Sequence, residues 1–166
     1  GLNQGSKLVM AAAGPVKRQL TRALPSNLNW PEGMGKPRLV MPGVVAVEAE
    51  KFESYQVTPQ RTEAQLRYWS EKDWAGIALL VLCDDSDFCA RTLNNFLWVA
   101  FTRSNPSHDC YGVESFTHFK HWGCAGPLVI DARLKGHHAP PLLEDPKVTE
   151  QVDQLCSKGK SLHGVI

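Results

Sequence analysis

Residues 77–87 read Ile77-Ala78-Leu79-Leu80-Val81-Leu82-Cys83-Asp84-Asp85-Ser86-Asp87, an unbroken apolar run that passes straight into a polar turn. A run of that length without alternation fits a central strand covered on both faces, as in the parallel sheets of α/β proteins. Beyond the turn, Leu93, Phe96, Leu97, Ala100 and Phe101 recur at three- and four-residue spacing. That spacing predicts an amphipathic helix over 88–103, capped by Asp87 or Ser86 and stopped at Asn105-Pro106. Acidic charge at its first turn complements the helix dipole.

Towards the C-terminus, Cys110–Val113 and Leu128–Ala132 read as short strands. His137-His138-Ala139-Pro140-Pro141 reads as an extended linker, and Asp145-Pro146 as the start of a last helix with Val148, Val152 and Leu155 on one face. Residues 157–166 form a Gly/Lys/Ser tail. Towards the N-terminus, Lys7–Ala13 reads as a buried strand. Val16, Leu20 and Leu24 at four-residue spacing suggest a short helix. Pro25, Pro31, Pro37, Gly33 and Gly35 mark residues 25–37 as loop. Arg38–Val47 is rich in strand formers but interrupted by Pro42-Gly43, which predicts an edge strand or two short pieces. Thr58 as N-cap and Pro59 at the first position open a helix over 59–72, with Leu66 and Trp69 inward. Strands alternating with helices give an α/β fold, a layered αβα domain with a mostly parallel or mixed central sheet, over residues 1–166.

The 166 residues suffice for one domain with its own core. Eighteen basic side chains against seventeen acidic ones leave a net charge of +1, which argues against a nucleic-acid partner. No apolar run approaches the roughly 20 residues needed to span a bilayer, and the N-terminus lacks the charged and apolar regions of a signal peptide. Gly1 in the first position suggests an excised piece. The five cysteines, Cys83, Cys89, Cys110, Cys124 and Cys156, are odd in number and show no paired spacing, so they read as reduced thiols in a cytoplasmic protein.

Few residues stand out as chemistry. The turn containing Asp84 and Asp87 lies at the carboxyl end of a strand, where open α/β sheets keep their sites. It serves either as a cation cradle or as a carboxylate-capped helix start. Arg103 closes the predicted helix, where it can pair with Asp109 or an acid of the 84–87 turn, or clamp a substrate carboxylate. His118, His121 and Cys124 are zinc-type ligands, but no Cys-x₂-Cys pair accompanies them; a small metal-binding protein is therefore the minor reading. Trp98, Phe101 and Trp122 read as plain core aromatics, with a subunit interface as the other use of such residues. No nucleotide-binding glycine loop and no nucleophile elbow is present.

One resemblance carries further. The stretch from Leu80 to Asp153, within a match over 77–156, resembles the C-terminal domain of the UbiD family of prenylated-flavin-dependent carboxy-lyases. The order is the strand 77–83, Asp84-Asp85-Ser86-Asp87, and a helix with Leu93-Asn94-Asn95-Phe96-Leu97-Trp98. Thr102-Arg103 with Pro106 and Asp109 follows, then Leu128-Val129-Ile130-Asp131-Ala132, and last Asp145-Pro146 with its helix. The run Trp-x₃-Thr-Arg-x₂-Pro-x₂-Asp over 98–109 is its most specific part. Gln4 to Gly14 is similar to the preceding section of longer members linked to quinone biosynthesis. The chain departs from the pattern at Asn95, where Asp is common, and at Ala125-Gly126-Pro127, where Gly-Ser-Lys is common.

The resemblance implies a domain that supports dimerisation and packs beside an active site. In that family prenylated FMN, a divalent metal and potassium sit in upstream domains. No catalytic, cofactor-binding or metal residue transfers to this chain; Asp84, Asp87, Arg103 and Asp109 remain as structural or interface candidates. The implied partners are upstream catalytic domains or a catalytic subunit, with self-association into a homo-oligomer. The competing class is a free-standing assembly or regulatory subunit without enzymatic activity.

Overall fold

A computed structural model describes residues 8–11, 13–26, 28–69, 74, 76–139 and 145–165. They form two compact units, 1–136 and 137–166. In the first, a five-stranded mixed sheet runs in the order β1-β2-β3-β7-β4. Its strands are β1 (Met34–Met41), β2 (Val44–Ala49), β3 (Leu79–Cys83), β4 (Cys110–Gly112) and β7 (Leu128–Asp131). β2, β3 and β7 are mutually parallel, whereas β1 and β4 run antiparallel at the two edges. A separate hairpin joins β5 (Ser115–His118) to β6 (His121–Cys124).

The decisive strand behaves as its sequence predicts: every residue of β3 is buried. Its side chains alternate between two cores because successive residues of a strand face opposite ways. Leu80 and Leu82 enter one core with Val45, Val47, Val129, Tyr111 and the tryptophans Trp69 and Trp74. Leu79, Val81 and Cys83 enter the other with Ala46, Ile130, Cys89, Phe96, Val99 and Ala100. Helix α1 (Thr58–Arg67) supplies Leu66 to the first core; α2 (Ser86–Arg91) and α3 (Leu93–Thr102) supply the second. The result is the expected helix–sheet–helix layering.

Several expectations are corrected. Arg38–Val47 does split into two pieces around Pro42-Gly43, where Gly43 takes φ 72, but the loop expected over 25–37 ends early: β1 begins at Met34, because at the sheet edge its Pro37 leaves no ladder bond unmade on the inner side. The described part of Lys7–Ala13 makes no strand: Val9 is 86% exposed, and a triple-alanine run offers little to hold a ladder. The helix expected over Val16–Leu24 is absent because the chain bonds to distant backbone instead. The Thr21 amide donates to the Gly76 carbonyl, Gly43 N donates to Thr21 O, and Arg18 donates to the carbonyls of Ile77 and Ala125. Nine residues cannot offset helix nucleation against such ties.

Helix α1 starts one residue earlier than expected, and Thr58 lies inside it. The buried Thr58 hydroxyl instead accepts from the amides of Glu53 and Ser54, closing the approach loop. The predicted 88–103 helix is two helices, broken at the extended residue Thr92. Asp85, rather than Asp87 or Ser86, caps α2 by accepting from Phe88 N at 2.8 Å. Thr92 caps α3 by accepting from Asn95 N, while the Asn95 amide reaches back to Phe88 O. The inward face of α3 is Phe96, Val99 and Ala100; Leu93, Leu97, Trp98 and Phe101 form an outward stripe. Trp98, Phe101 and Trp122 are therefore surface aromatics and not core.

In the second unit, Asp145 caps α4 (Pro146–Cys156) through Lys147 N at 2.9 Å, as the Asp-Pro signal predicts. Val148, Val152 and Leu155 share its apolar face, and all are exposed. Residues 140 and 141 of the expected linker lie outside the described residues.

Candidate functional site

β3 and β7 both end at the same rim of the sheet, and the charged residues gather there. After β7 the chain continues Asp131-Ala132-Arg133-Leu134-Lys135, which sends Asp131, Arg133 and Lys135 to one side. All three are buried, at 0%, 2% and 4% exposure. Asp131 holds Arg133 with both oxygens, accepting from Nε at 2.9 Å and Nη2 at 2.6 Å. The remaining guanidinium donors go to Glu50 O at 2.8 Å and Thr62 Oγ1 at 3.0 Å, so α1 and the end of β2 are tied to β7.

Lys135 extends the cluster from Asp131 towards the end of α3. Its Nζ donates to the carbonyls of Asp131, Arg103 and Arg133 at 2.8, 2.9 and 3.2 Å. It also lies 3.4 Å from Asp109 and 3.8 Å from Asp131, with the Phe52 ring beneath. Asp109 is fully buried and accepts from Asn105 N at 2.6 Å and from the Tyr55 hydroxyl at 3.4 Å. Burial and the Asp109 carboxylate push the Tyr55 phenol up to about 12. At the outer margin, Arg103 meets Asp84 at 3.5 Å, and Asp84 accepts from Leu134 N at 2.8 Å.

Three of the four candidates, Asp84, Arg103 and Asp109, thus share one network. Of the roles open to Arg103, the structure shows the pairing with an acid of the turn. Asp87 lies elsewhere: it pairs with Arg38 at 2.5 Å on the exposed margin of β1. There Glu48, Asp85 and Asp87 bring carboxylate oxygens within 4.8 Å of one another, but Lys36 and Arg38 neutralise part of that charge. The Lys36 ammonium is held above its usual range by its bond to Glu48.

The zinc-type trio does not converge. His118 and His121 are register partners beside the hairpin turn, while Cys124 pairs with Ser115 at the other end, three strand residues or ~10 Å away. The residues missed at the sequence level are Arg133 and Lys135. Their signal was present in the Asp-x-Arg-x-Lys alternation directly behind a buried strand.

Chemically, the network is closed. Two cations face two carboxylates inside it; the cations donate further to backbone carbonyls and a hydroxyl, and the carboxylates accept from backbone amides and a phenol, with Asp109 Oδ1 buried and unpartnered among the described residues. Such a cluster binds the ends of β2, β3, β7, α1 and α3 together and offers no free charge to a reactant.

No family model and no curated protein matches the chain. Among solved structures, the chain is similar to the vanillic acid decarboxylase of Sedimentibacter hydroxybenzoicus in its open form, at 16% identity and a TM-score of 0.42. The similarity covers 66% of this chain and 25% of the decarboxylase chain, so it spans about a quarter of that protein's length. No helix among the described residues is long and apolar enough to cross a membrane.

Proposed function

We propose that this chain is the C-terminal, non-catalytic domain of a UbiD-like carboxy-lyase that removes carbon dioxide from an aromatic or unsaturated carboxylate. Prenylated FMN and its metal ions are held, on this reading, by domains outside the chain. The supporting observation is a convergence. Asp84 follows β3, Arg103 ends α3, Asp109 precedes β4 and Asp131 ends β7; these carriers of the sequence resemblance meet in one ion-paired network. A motif spread over some fifty residues is thereby a latch for the sheet rim, which suits a supporting domain. The outward stripe of Leu97, Trp98 and Phe101 on α3 is the surface that packing against a catalytic domain or a second copy would use.

The experiment is to probe an extract of the source cells with an antibody raised to this chain, and to assay the antibody-captured material for decarboxylation. A band several times larger than 18.4 kDa that carries the activity is expected. A band at 18.4 kDa would overturn the domain reading in favour of a free-standing assembly or regulatory subunit. The isolated chain supplied with prenylated FMN is expected to show no turnover.

A further inference from the structure

The two edges of the five-stranded sheet are built differently. β1 is blunted: Lys36, Pro37 and Arg38 stand within it, and its register shifts twice against β2. Charge, proline and bulges are devices that keep a sheet edge from pairing with another chain. β4, Cys110-Tyr111-Gly112, has none of the three. Its backbone is only half used. Asp131 N donates to Asp109 O and Val113 N donates to Pro127 O, which sets the backbone of Tyr111, midway between them, towards β7. In an antiparallel ladder the alternate residues turn theirs the other way. The amides and carbonyls of Cys110 and Gly112 therefore point out of the edge, and no described residue pairs with them.

A cleft of about 540 Å³ opens at this edge. Glu63, Leu66, Arg67 and Trp69, from α1 and the residues just beyond it, line one side, and Trp122 of the hairpin lines the other. Leu66 and Trp69 belong to the first core, which Tyr111 also enters. Gly112 faces the opposite way along the strand, and a Cβ built there would come 3.1 Å from the Trp122 ring. The cleft thus continues the plane of the sheet, with a wall on either face, and the two outward residues stand ~6.8 Å apart, the repeat of an extended chain.

Charge narrows the choice of occupant. Glu63 and Glu114 place two carboxylates at the margin against Arg67, which pairs with Glu63 at 3.6 Å. The margin is net negative, and the half-exposed Trp122 ring offers a face that suits a cation. Edge-to-edge pairing of two copies of this chain would bring their carboxylates together, so like charge disfavours a second copy.

We propose that β4 takes up an extended, lysine- or arginine-bearing segment of a partner protein as a sixth strand. The outward backbone groups of Cys110 and Gly112 hold it, and the acidic margin selects its charge. The site does not depend on the carboxy-lyase reading, and its test involves no decarboxylation.

The probe is the peptide acetyl-Lys-Val-Thr-Val-Lys-amide, followed by amide and indole NMR of the full chain. Saturable shifts are expected at Cys110, Gly112 and the Trp122 indole, with slowed hydrogen exchange of the Cys110 and Gly112 amides. Two further peptides carry N-methyl groups, one on both valines and the other on the threonine and the last lysine. Only one of these sets can face β4. That one is expected to weaken binding by about tenfold or more, the loss of two main-chain hydrogen bonds, and the other much less. Glutamate in place of both lysines is expected to weaken binding by about three- to tenfold, and Glu63→Gln with Glu114→Gln to narrow that gap. Non-saturable shifts, shifts centred on other residues, no difference between the N-methylated forms, or equal binding of the acidic peptide would overturn the proposal. So would concentration-dependent shifts at Cys110 and Gly112 without peptide, which would give the edge to a second copy.

Discussion

Two clusters of acid and base stand on one sheet, and they differ in almost everything but composition. At the rim beyond β3 and β7, Asp109, Asp131, Arg133 and Lys135 lie at 0–4% exposure. Beside β1, Lys36 with Glu48 and Arg38 with Asp87 form comparably short pairs on partly exposed side chains, with the Asp85 carboxylate close by. Distance alone would rank the Arg38–Asp87 pair, at 2.5 Å, level with Arg133–Asp131, at 2.6 Å. Burial separates them. Water screens the first pair, and its loss is cheap, whereas removing one member of the second strands a charge in a low-dielectric interior. A buried pair gives no assurance of net stabilisation, but it makes every partner obligatory.

The comparison is sharpest at Asp131. Replacing it by Asn leaves Arg133 and Lys135 underpaired, and we expect a loss of about 3–5 kcal/mol in urea unfolding. A loss below about 1 kcal/mol would show that the network relaxes or admits water. At the margin between the two regimes, Arg103 and Asp84 have side chains 19% and 28% exposed. Arg103→Met should therefore cost about 1–2 kcal/mol, measured in the same way.

Tyr55 gives the pH-dependent version. Its folded phenol is raised from 10.0 to about 12, so the unfolded chain loses that proton first as the solution becomes alkaline. Its contribution is complete below pH 10.0 and is lost as pH rises towards about 12. Urea midpoints should fall across that window, and Tyr55→Phe should flatten the fall while costing about 1 kcal/mol at neutral pH. An unchanged slope in the variant would place the titration elsewhere. The smallest effect belongs to the exposed cluster: Asp87→Asn should change stability by less than about 1 kcal/mol, and high salt should erase the difference.

Legibility followed the same division. β3 was readable because a strand buried on both faces has a one-dimensional signature, and α4 because Asp-Pro marks a helix start regardless of context. The pairing of Arg103 with an acid of the 84–87 turn was among the roles read from the sequence, but the break at Thr92 makes it possible: one continuous helix over 88–103 would carry its end roughly 24 Å away. The break at Thr92 was hidden, because the spaced apolar residues from Leu93 to Phe101 all lie beyond it and say nothing about the junction. Arg133 and Lys135 were hidden for a different reason. Charged side chains after a strand read as surface, and only the placement of Asp109 and Asp131 makes their burial tolerable.

The sequence by itself determined the layered α/β class, the central strand and the Asp145 cap of α4. These rest on local patterning, which neighbouring residues carry between them. Tertiary structure alone decided three things. It showed that Val16–Leu24 forgoes a helix for bonds to Gly43, Gly76 and Ala125. It turned Leu97, Trp98 and Phe101 outward, and it gathered charges from residues 84 to 135 into one closed network. Each depends on which distant groups are brought within a few ångströms, and that information belongs to the packing of the sheet and not to any window of the chain.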